Sequence, residues 1–182
     1  MIKEPQVFRQ FFSPQEVADF RLMITEVKNS QDLKVDSDYF YRKYVHNPDS
    51  LVPFHKFVSK FVSKFIKHDL EPTYSFISMY GEGAGICPLH LDRPDCLLTV
   101  DVCIDQGKPW PLYVNHTTPY RADQDLVQHQ ETIKKESVEY ILNPGDALFY
   151  SGTDHPHWRK QIDPDNFCDL IFFHFKKVSS GT

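Results

Sequence analysis

His90 and Asp92 are the side chains best suited to chemistry, and only one leucine separates them. In a β-strand, residues i and i+2 point to the same face, so both side chains can contact one ion. A second histidine from a distant strand would complete a set of two histidines and one carboxylate, and His155 and His157 are both candidates. Such a set leaves three adjacent positions open on an octahedral metal, which non-haem iron(II) oxygenases use for co-substrate and oxygen.

The surrounding sequence favours a metal site over a surface turn. The His90–Asp92 pair follows a Gly-rich segment, residues 81–85, which itself follows an alternating segment, residues 74–80. The downstream histidines come after a turn and a predicted strand that begin at Asn143. Because several further strands are predicted between the two motifs, we expect a β structure to bring distant parts of the chain to one ion.

The chain from about residue 72 onwards is typical of short strands joined by turns. Strands are predicted at 74–80, 97–104, 111–114, 137–142, 147–150 and 169–175. The sequence Asn143-Pro144-Gly145-Asp146 predicts a turn between two of them. Residues 120–136 are polar and lack alternation, which predicts a long loop or a short helix.

The first 71 residues are predicted to be mainly helical. Ser13, Pro14 and Glu16 form a capping-box start for one helix. A second helix is predicted at 49–68, where Phe57, Phe61 and Phe65 recur every four residues. Val58, Val62 and Ile66 lie beside this stripe, and the lysines Lys56, Lys60, Lys64 and Lys67 lie off it. We expect this Phe stripe to pack on a sheet, and the alternative is a basic amphipathic helix that binds a membrane surface or an anionic partner.

Helices followed by many short strands predict a mainly β fold, a barrel or a sandwich, with N-terminal helices packed against it. An alternating parallel α/β fold does not fit this order. No linker or internal repeat divides the chain, so we expect one domain, 1–182, in which 1–71 support a β core at 72–182.

Composition limits the class of partner and the compartment. The formal net charge of −5 gives no reason to expect a nucleic-acid partner. The sequence contains neither an apolar signal region nor a run of membrane-spanning length, so no membrane association is expected. The four cysteines include no C-x-x-C pair, which is typical of reduced thiols, and we expect a cytoplasmic protein.

Residues 80–175 resemble the 2-oxoglutarate/iron(II) dioxygenase superfamily, near its prolyl-hydroxylase-like branch. The resemblance rests on the order of Tyr80, the Gly-rich loop and His90-Leu91-Asp92, and on the turn and strand at 143–150. Residues 7–17 also resemble the segment that opens many such domains. The resemblance implies a double-stranded β-helix, the cupin-like jelly-roll barrel. It also implies Fe(II), 2-oxoglutarate as co-substrate and O2, and it selects His157 over His155 as the distal ligand.

The implied activity is hydroxylation of a C–H bond in a peptide side chain, an amino acid or a small metabolite. Two alternatives stay open: a metal-dependent cupin-type oxygenase that does not use 2-oxoglutarate, and a non-catalytic metal-binding module. The first is motivated by a departure from the family pattern. The segment that usually supplies a cation for the far carboxylate of 2-oxoglutarate is Asn166-Phe167-Cys168 here, without a basic residue.

The co-substrate is therefore predicted to bind other residues. Arg159 lies two positions after His157 and would share its inward face on a strand, where it could form a two-pronged pair with a carboxylate. A salt bridge at the rim of the site is the alternative role for Arg159. Tyr80 matches a family position whose phenol hydrogen-bonds the co-substrate, and Thr99 is also predicted to contact the co-substrate.

The substrate pocket is predicted from the strand that follows the His-x-Asp loop. Thr99, Asp101 and Cys103 alternate along one face, which the resemblance turns inward, and a buried Asp101 would need Arg159 or a substrate cation as partner. The other predicted pocket residues are Arg93, Leu112 and Trp110. Arg42 and Lys43 could line a substrate mouth, and His174 is expected in the core or the pocket wall.

Overall fold

The computed structural model describes residues 2–66, 69–81, 83–117, 120 and 123–178, with the backbone alone for 123 and 124. Its helices are α1 (Pro14–Val27), α2 (Val52–Phe65), α3 (Asp123–Gln128) and α4 (Gln130–Glu136). The strands of its N-terminal half are β1 (Gln6–Phe8), β2 (Lys34–Asp36), β3 (Arg42–His46), β4 (Leu70–Tyr80) and β5 (Cys87–His90). The later strands are β6 (Leu98–Gln106), β7 (Leu112–Val114), β8 (Val138–Tyr140), β9 (Ala147–Tyr150), β10 (His157–Arg159) and β11 (Cys168–Lys177).

The strands form two antiparallel sheets. The larger has seven strands in the order β1-β9-β6-β11-β4-β3-β2, and the smaller has four in the order β5-β10-β7-β8. Side chains from both sheets, with Leu112 and Val114 from the smaller one, pack into a shared apolar cluster. The predicted mainly β structure with N-terminal helices is confirmed.

Strand alternation separates the core of the large sheet from its chemistry. On β6, Val100 and Val102 join the apolar cluster under the N-terminal helices. Thr99 and Asp101 lie on the opposite face, where their side chains contact residues of the site described below. One face of the sheet therefore stabilises the fold while the other carries polar groups.

Helix α1 begins with the predicted capping box. The backbone N–H of Glu16 donates to Ser13 Oγ at 3.3 Å, and the N–H of Ser13 donates to Glu16 Oε2 at 2.8 Å. These bonds satisfy donors that a helix N-terminus otherwise leaves free. The helix then buries Phe20 and Ile24 against the large sheet.

Helix α2 packs only part of its predicted apolar face on the sheet. A single 3-10 turn occupies 49–51, the helix covers Val52–Phe65, and the predicted end at 67 and 68 lies outside the described residues. Val58 and Val62 are fully buried against the sheet, whereas Phe57 and Phe65 are 48% and 42% exposed. The prediction that the Phe stripe faces the sheet is therefore confirmed only in part. The Phe61 ring packs on the core and lies 5.7 Å from that of Phe149 on β9, whereas Phe57 and Phe65 lie at the edge of the contact.

The structure adds elements that the sequence patterns did not predict. Five strands, β1, β2, β3, β5 and β10, are three to five residues long and too short for a visible alternation. The segment 120–136 contains α3 and α4, and its residues 121 and 122 lie outside the described part. Within the described residues, none of the helices combines the length and apolarity needed to cross a membrane.

The predicted turn at 143–146 connects the two sheets to the N-terminal segment. Gly145 has a φ of +91°, a backbone conformation that favours glycine. Asp146 accepts hydrogen bonds from the backbone N–H groups of Asn143 and Gln10, both at 2.9 Å, and from Arg9 Nη1 at 2.6 Å. Burial by itself raises the pKa of Asp146, but these donors outweigh burial and hold the pKa below its ordinary value.

Replacing Asp146 with Asn is expected to lower the free energy of unfolding by about 1–2 kcal/mol at neutral pH, because a charged acceptor of three donors is lost. A carboxylate with a lowered folded-state pKa stabilises above its unfolded pKa, here 3.8, and loses this effect as the pH falls through the folded value. Urea unfolding between pH 7 and 3 checks this. The gap between wild type and Asp146→Asn should close towards pH 3, and a gap that stays constant would contradict the assignment.

Candidate metal centre and cavity

His90, Asp92 and His157 converge at one end of the small sheet. His90 is the last residue of β5 and pairs directly with His157, the first residue of β10. Asp92 lies two residues beyond β5, where its backbone N–H donates to the carbonyl of Gly152 at 2.8 Å. Asp92 Oδ1 is 3.5 Å from His90 Nε2 and 3.6 Å from His157 Nε2. One potential ligand atom from each residue thus lies within 4.8 Å of the others.

The backbone orients both imidazole rings for metal binding. His90 Nδ1 lies 2.8 Å from the carbonyl of Pro88, and His157 Nδ1 lies 2.9 Å from the carbonyl of His155. A carbonyl only accepts, so each Nδ1 carries a proton and donates it, which turns both Nε2 atoms towards Asp92. Burial alone would lower the pKa of His90, but Cys87 and Asp92 hold this pKa well above its ordinary value, so a bound metal would displace the proton on His90 Nε2. Burial and the neighbouring His90 lower the pKa of His157 to about 4, so its ring is neutral at physiological pH.

A threonine hydroxyl binds the second carboxylate oxygen of Asp92. Thr99 Oγ1 donates to Asp92 Oδ2 at 2.8 Å and lies 3.1 Å from His174 Nδ1. Burial lowers the pKa of His174 to about 4, so this neighbour is also neutral. In the structure Thr99 therefore orients the candidate metal ligand, whereas the sequence predicted a contact with the co-substrate.

His155 is not part of this group. Its Nδ1 accepts a hydrogen bond from the backbone N–H of Ser151 at 3.3 Å, and its ring lies 6.2 Å from that of His116. The structure thus brings His157, and not His155, next to His90 and Asp92.

A cavity of about 850 Å³ opens beside these three residues, between the sheets and α3. Of the predicted pocket residues, Arg93, Asp101 and Leu112 line the cavity. Cys103 and Trp110 are not among its lining residues and pack in the apolar cluster between the sheets. The lining also includes His174, which the sequence predicted for the core or pocket wall.

Arg159 and Asp101 form a buried ion pair inside the cavity. Arg159 Nη2 donates to Asp101 Oδ2 at 2.6 Å, and the two side chains are 5% and 1% exposed. Arg159 Nη1 donates to the carbonyl of Trp110, and its guanidinium lies 4.9 Å from the centre of the Trp110 ring. Burial disfavours a charged guanidinium, but Asp101 outweighs it and raises the pKa of Arg159. Asp101 thus has the partner that the sequence required, and its Oδ1 has no hydrogen-bond partner among the described residues.

Tyr80 lies beside this pair at the end of β4. Its ring packs 4.7 Å from that of Trp110, and its hydroxyl accepts a hydrogen bond from Arg42 Nη1 at 3.1 Å. Burial raises the pKa of Tyr80, so the hydroxyl keeps its proton and can donate it to a ligand. Tyr80 lines the cavity, and its predicted contact with the co-substrate stays a prediction.

Gly152 is a site residue that the sequence did not single out. A Cβ at this position would overlap Asp92 Oδ2 and lie 2.7 Å from Thr99 Oγ1. Only a hydrogen fits in this space, so glycine lets the chain before His157 pass over the carboxylate. The only sequence signal is a glycine in the short segment between β9 and the distal histidine.

Comparison with known proteins identifies solved structures that share the fold of this chain. No family model matches the sequence, and a search of curated proteins finds no match. Solved structures do match. The non-haem alpha-ketoglutarate-dependent epimerase SnoN from nogalamycin biosynthesis matches with a TM-score of 0.75 at 10% identity, over 96% of this chain and 78% of that chain.

Two further matches belong to enzymes of related description. HygX from Streptomyces hygroscopicus, with nickel and 2-oxoglutarate bound, gives a TM-score of 0.71 at 12% identity, over 96% of this chain and 83% of that one. A Pseudomonas putida prolyl-4-hydroxylase gives 0.69 at 10% identity, over 96% and 93%.

The chain has the fold of the 2-oxoglutarate-dependent non-haem enzymes. The resemblance inferred from the short motifs is confirmed at the level of fold. At such low identity the shared fold does not transfer a residue's role, so the roles rest on the geometry described above.

Proposed function

We propose that the protein is a non-haem iron(II)- and 2-oxoglutarate-dependent dioxygenase that hydroxylates a C–H bond. The observation that carries the proposal is the convergence of His90 Nε2, His157 Nε2 and Asp92 Oδ1 at one end of the cavity. Two imidazoles and one carboxylate that leave adjacent positions open are the donor set of non-haem iron(II) oxygenases.

The spacing of these donors fits one ion. Two ligands about 2.1 Å from a metal and at right angles to one another are about 3 Å apart. The separations of 3.5 and 3.6 Å therefore require only a small inward movement of the rings. The carbonyls that hold both Nδ1 atoms, and the Thr99 hydroxyl on Asp92, would keep the ligands in orientation.

Iron(II) held there, with 2-oxoglutarate and O2, supplies the oxidising power for hydroxylation. The chain contributes the ligands, the enclosure and the polar contacts. Tyr80 keeps a proton on its hydroxyl that it can donate to a carboxylate of the co-substrate. Arg159 has N–H donors beyond the two that Asp101 and the Trp110 carbonyl use, so it stays a candidate for the same carboxylate.

The rest of the architecture is proposed in the same terms. The two sheets would form the double-stranded β-helix of the cupin-like jelly-roll barrel within one domain at 1–182. Residues 1–71 are more than the predicted helical support, because they supply strands β1, β2 and β3 of the large sheet as well as helices α1 and α2. All four cysteines are buried and free, which agrees with a reducing, cytoplasmic setting. The cavity of about 850 Å³ suits a small molecule or a peptide side chain as substrate.

One observation favours a second candidate, a metal-dependent oxygenase that does not use 2-oxoglutarate. Asp101 neutralises Arg159 at 2.6 Å, so the predicted cation for the far carboxylate carries no net charge with its partner. Anaerobic calorimetry on the iron-loaded protein separates the two candidates, because only the dioxygenase binds 2-oxoglutarate. Formation of succinate in air with ascorbate then tests turnover, and absence of both signals would remove the favoured proposal.

The metal site has its own test. Asp92→Ala is expected to weaken iron(II) binding by at least about 100-fold, more than loss of a group that only supports a ligand. Asp95→Ala is the matched control, because Asp95 is an exposed aspartate three residues further on. Metal content after dialysis and calorimetric affinity give the readout. Equal iron content in both variants would show that the ion binds elsewhere.

A further inference from the structure

Arg42 occupies an aromatic box on the inner face of the large sheet. Its guanidinium carbon lies 4.0 Å from the centre of the Phe40 ring and 4.6 Å from that of Phe76. Nη1 donates to Ser78 Oγ at 3.2 Å and to the Tyr80 hydroxyl at 3.1 Å. The rings cover the guanidinium while its N–H donors radiate within its plane, so the aromatic contacts position the group without satisfying the donors.

One edge of this guanidinium has no protein partner. Arg42 Nε is buried and has no hydrogen-bond partner among the described residues, and both hydrogen bonds of the side chain come from Nη1. Nε and Nη2 form the fork that binds a carboxylate through two parallel hydrogen bonds. A buried N–H without a partner is costly, so this edge is suited to an anion.

The nearby acids are engaged elsewhere. Asp36 pairs with Arg42 across β2 and β3, but its Oδ1 accepts from the backbone N–H groups of Asp38, Tyr39 and Phe40. Within the cavity, Asp92 faces the two histidines and Asp101 neutralises Arg159. None of the ion pairs among the described residues involves Arg42. The charge of Arg42 does contribute to lowering the pKa of Asp36, but it comes after burial and the three backbone hydrogen bonds among the influences on that carboxylate.

Arg42 lines the same cavity as the candidate metal ligands. The Phe40 ring that covers the guanidinium lies 5.6 Å from the His90 ring, so a single aromatic ring separates the cation from the metal site. Because Arg42 and His90 line one cavity, a single ligand in it can contact both.

We infer that Arg42, with Ser78 and Tyr80, forms a carboxylate-binding site that is separate from the Arg159–Asp101 pair. The inference rests on the proposed function only for the identity of the ligand. The bound carboxylate belongs either to the far end of 2-oxoglutarate or to the substrate, and either one would accept hydrogen bonds from the same edge of Arg42.

Two 2-oxo acids test whether Arg42 binds the far carboxylate of 2-oxoglutarate. 2-Oxoglutarate and 2-oxobutanoate share the metal-chelating end, but 2-oxobutanoate lacks the far carboxylate. Both are titrated by anaerobic calorimetry into the manganese-loaded wild type, Arg42→Gln, Arg42→Lys and Lys43→Gln. Lys43, which the sequence placed with Arg42 at a substrate mouth, is not among the residues that line the cavity. It is the matched control, because it is exposed and neighbours Arg42 on β3 with its side chain on the other face.

If Arg42 binds the co-substrate, Arg42→Gln weakens 2-oxoglutarate by about 30-fold or more and leaves 2-oxobutanoate nearly unchanged. Arg42→Lys keeps the positive charge but lacks the two-pronged guanidinium, so its 2-oxoglutarate affinity should lie between those of wild type and Arg42→Gln. The affinity of Lys43→Gln should match that of wild type. If 2-oxoglutarate affinity is unchanged in Arg42→Gln, benzoate is titrated onto each protein with and without 2-oxoglutarate. Benzoate binding that Arg42→Gln abolishes assigns the carboxylate to the substrate.

The inference is overturned if folded Arg42→Gln and Arg42→Lys bind 2-oxoglutarate and benzoate as wild type does. Thermal unfolding of each variant establishes that it is folded. If manganese-loaded wild type binds neither 2-oxo acid, the proposed co-substrate is wrong, and the benzoate titration without 2-oxoglutarate still decides the role of Arg42.

Discussion

Gly152→Ala is expected to abolish tight metal binding while the sheets stay folded. The added Cβ would overlap Asp92 Oδ2, lie 2.5 Å from the backbone carbonyl oxygen of Cys96 and crowd Thr99 Oγ1 at 2.7 Å. The backbone of Gly152 is not in the left-handed region, so alanine itself is compatible with its conformation and the effect is steric. To make room, the Asp92 carboxylate must move away from His90 and His157. We expect at least about a 100-fold loss in iron(II) affinity and a loss of about 1–3 kcal/mol in stability.

Gly81→Ala is the control for this substitution. Gly81 lies next to Tyr80, yet a Cβ there meets its nearest neighbours at 3.8 and 4.0 Å, which are ordinary contacts. Metal content after dialysis, calorimetric affinity and thermal unfolding are measured for both variants. If Gly152→Ala binds iron as tightly as Gly81→Ala does, the prediction is wrong, because the Asp92 carboxylate can then make room for the Cβ without loss of metal binding.

Arg159→Met is expected to destabilise the protein by about 3–5 kcal/mol, because it leaves Asp101 buried without its counter-charge. Asp101 is fully buried, and its Oδ2 has Arg159 as its partner at 2.6 Å. Replacing both members with apolar residues of similar volume, Asp101→Leu with Arg159→Met, should recover most of this loss, since it removes both desolvated charges together. Urea unfolding of the two single variants and the double variant gives the coupling free energy.

This cycle separates stability from ligand binding at Arg159. If the double variant is stable and has lost 2-oxoglutarate binding, Arg159 contacts the co-substrate as the sequence predicted. If it is stable and binds 2-oxoglutarate normally, the pair is structural and the far carboxylate is bound elsewhere. If Arg159→Met is no less stable than wild type, the pair does not contribute as its burial implies.

Local features were predictable because they depend on residues near one another in the chain. The Ser13–Glu16 capping box and the Asn143–Asp146 turn are built from contacts that span three residues, and both occur as expected. The alternation of β6 correctly predicted that Thr99 and Asp101 share one face. Helix α2 shows the limit of such patterns, because Val58 and Phe57 lie on adjacent parts of the helix and only packing against the sheet decides which is buried.

Sequence by itself determined which side chains could bind a metal, since two histidines and one carboxylate are a donor set for iron(II). It did not fix how His90 and Asp92 are oriented, because β5 ends at His90 and Asp92 lies outside the strand. Tertiary structure decided which other residues these side chains contact. The pairing of β5 with β10 brings His157 to His90, and the pairing of β3 with β4 brings Arg42 to Tyr80. The contact of Arg159 with Asp101 and of Gly152 with Asp92 likewise depends on long-range packing. The physical reason is that strand alternation sets the direction of a side chain, whereas sheet order and register, which depend on burial of the whole core, set its neighbours.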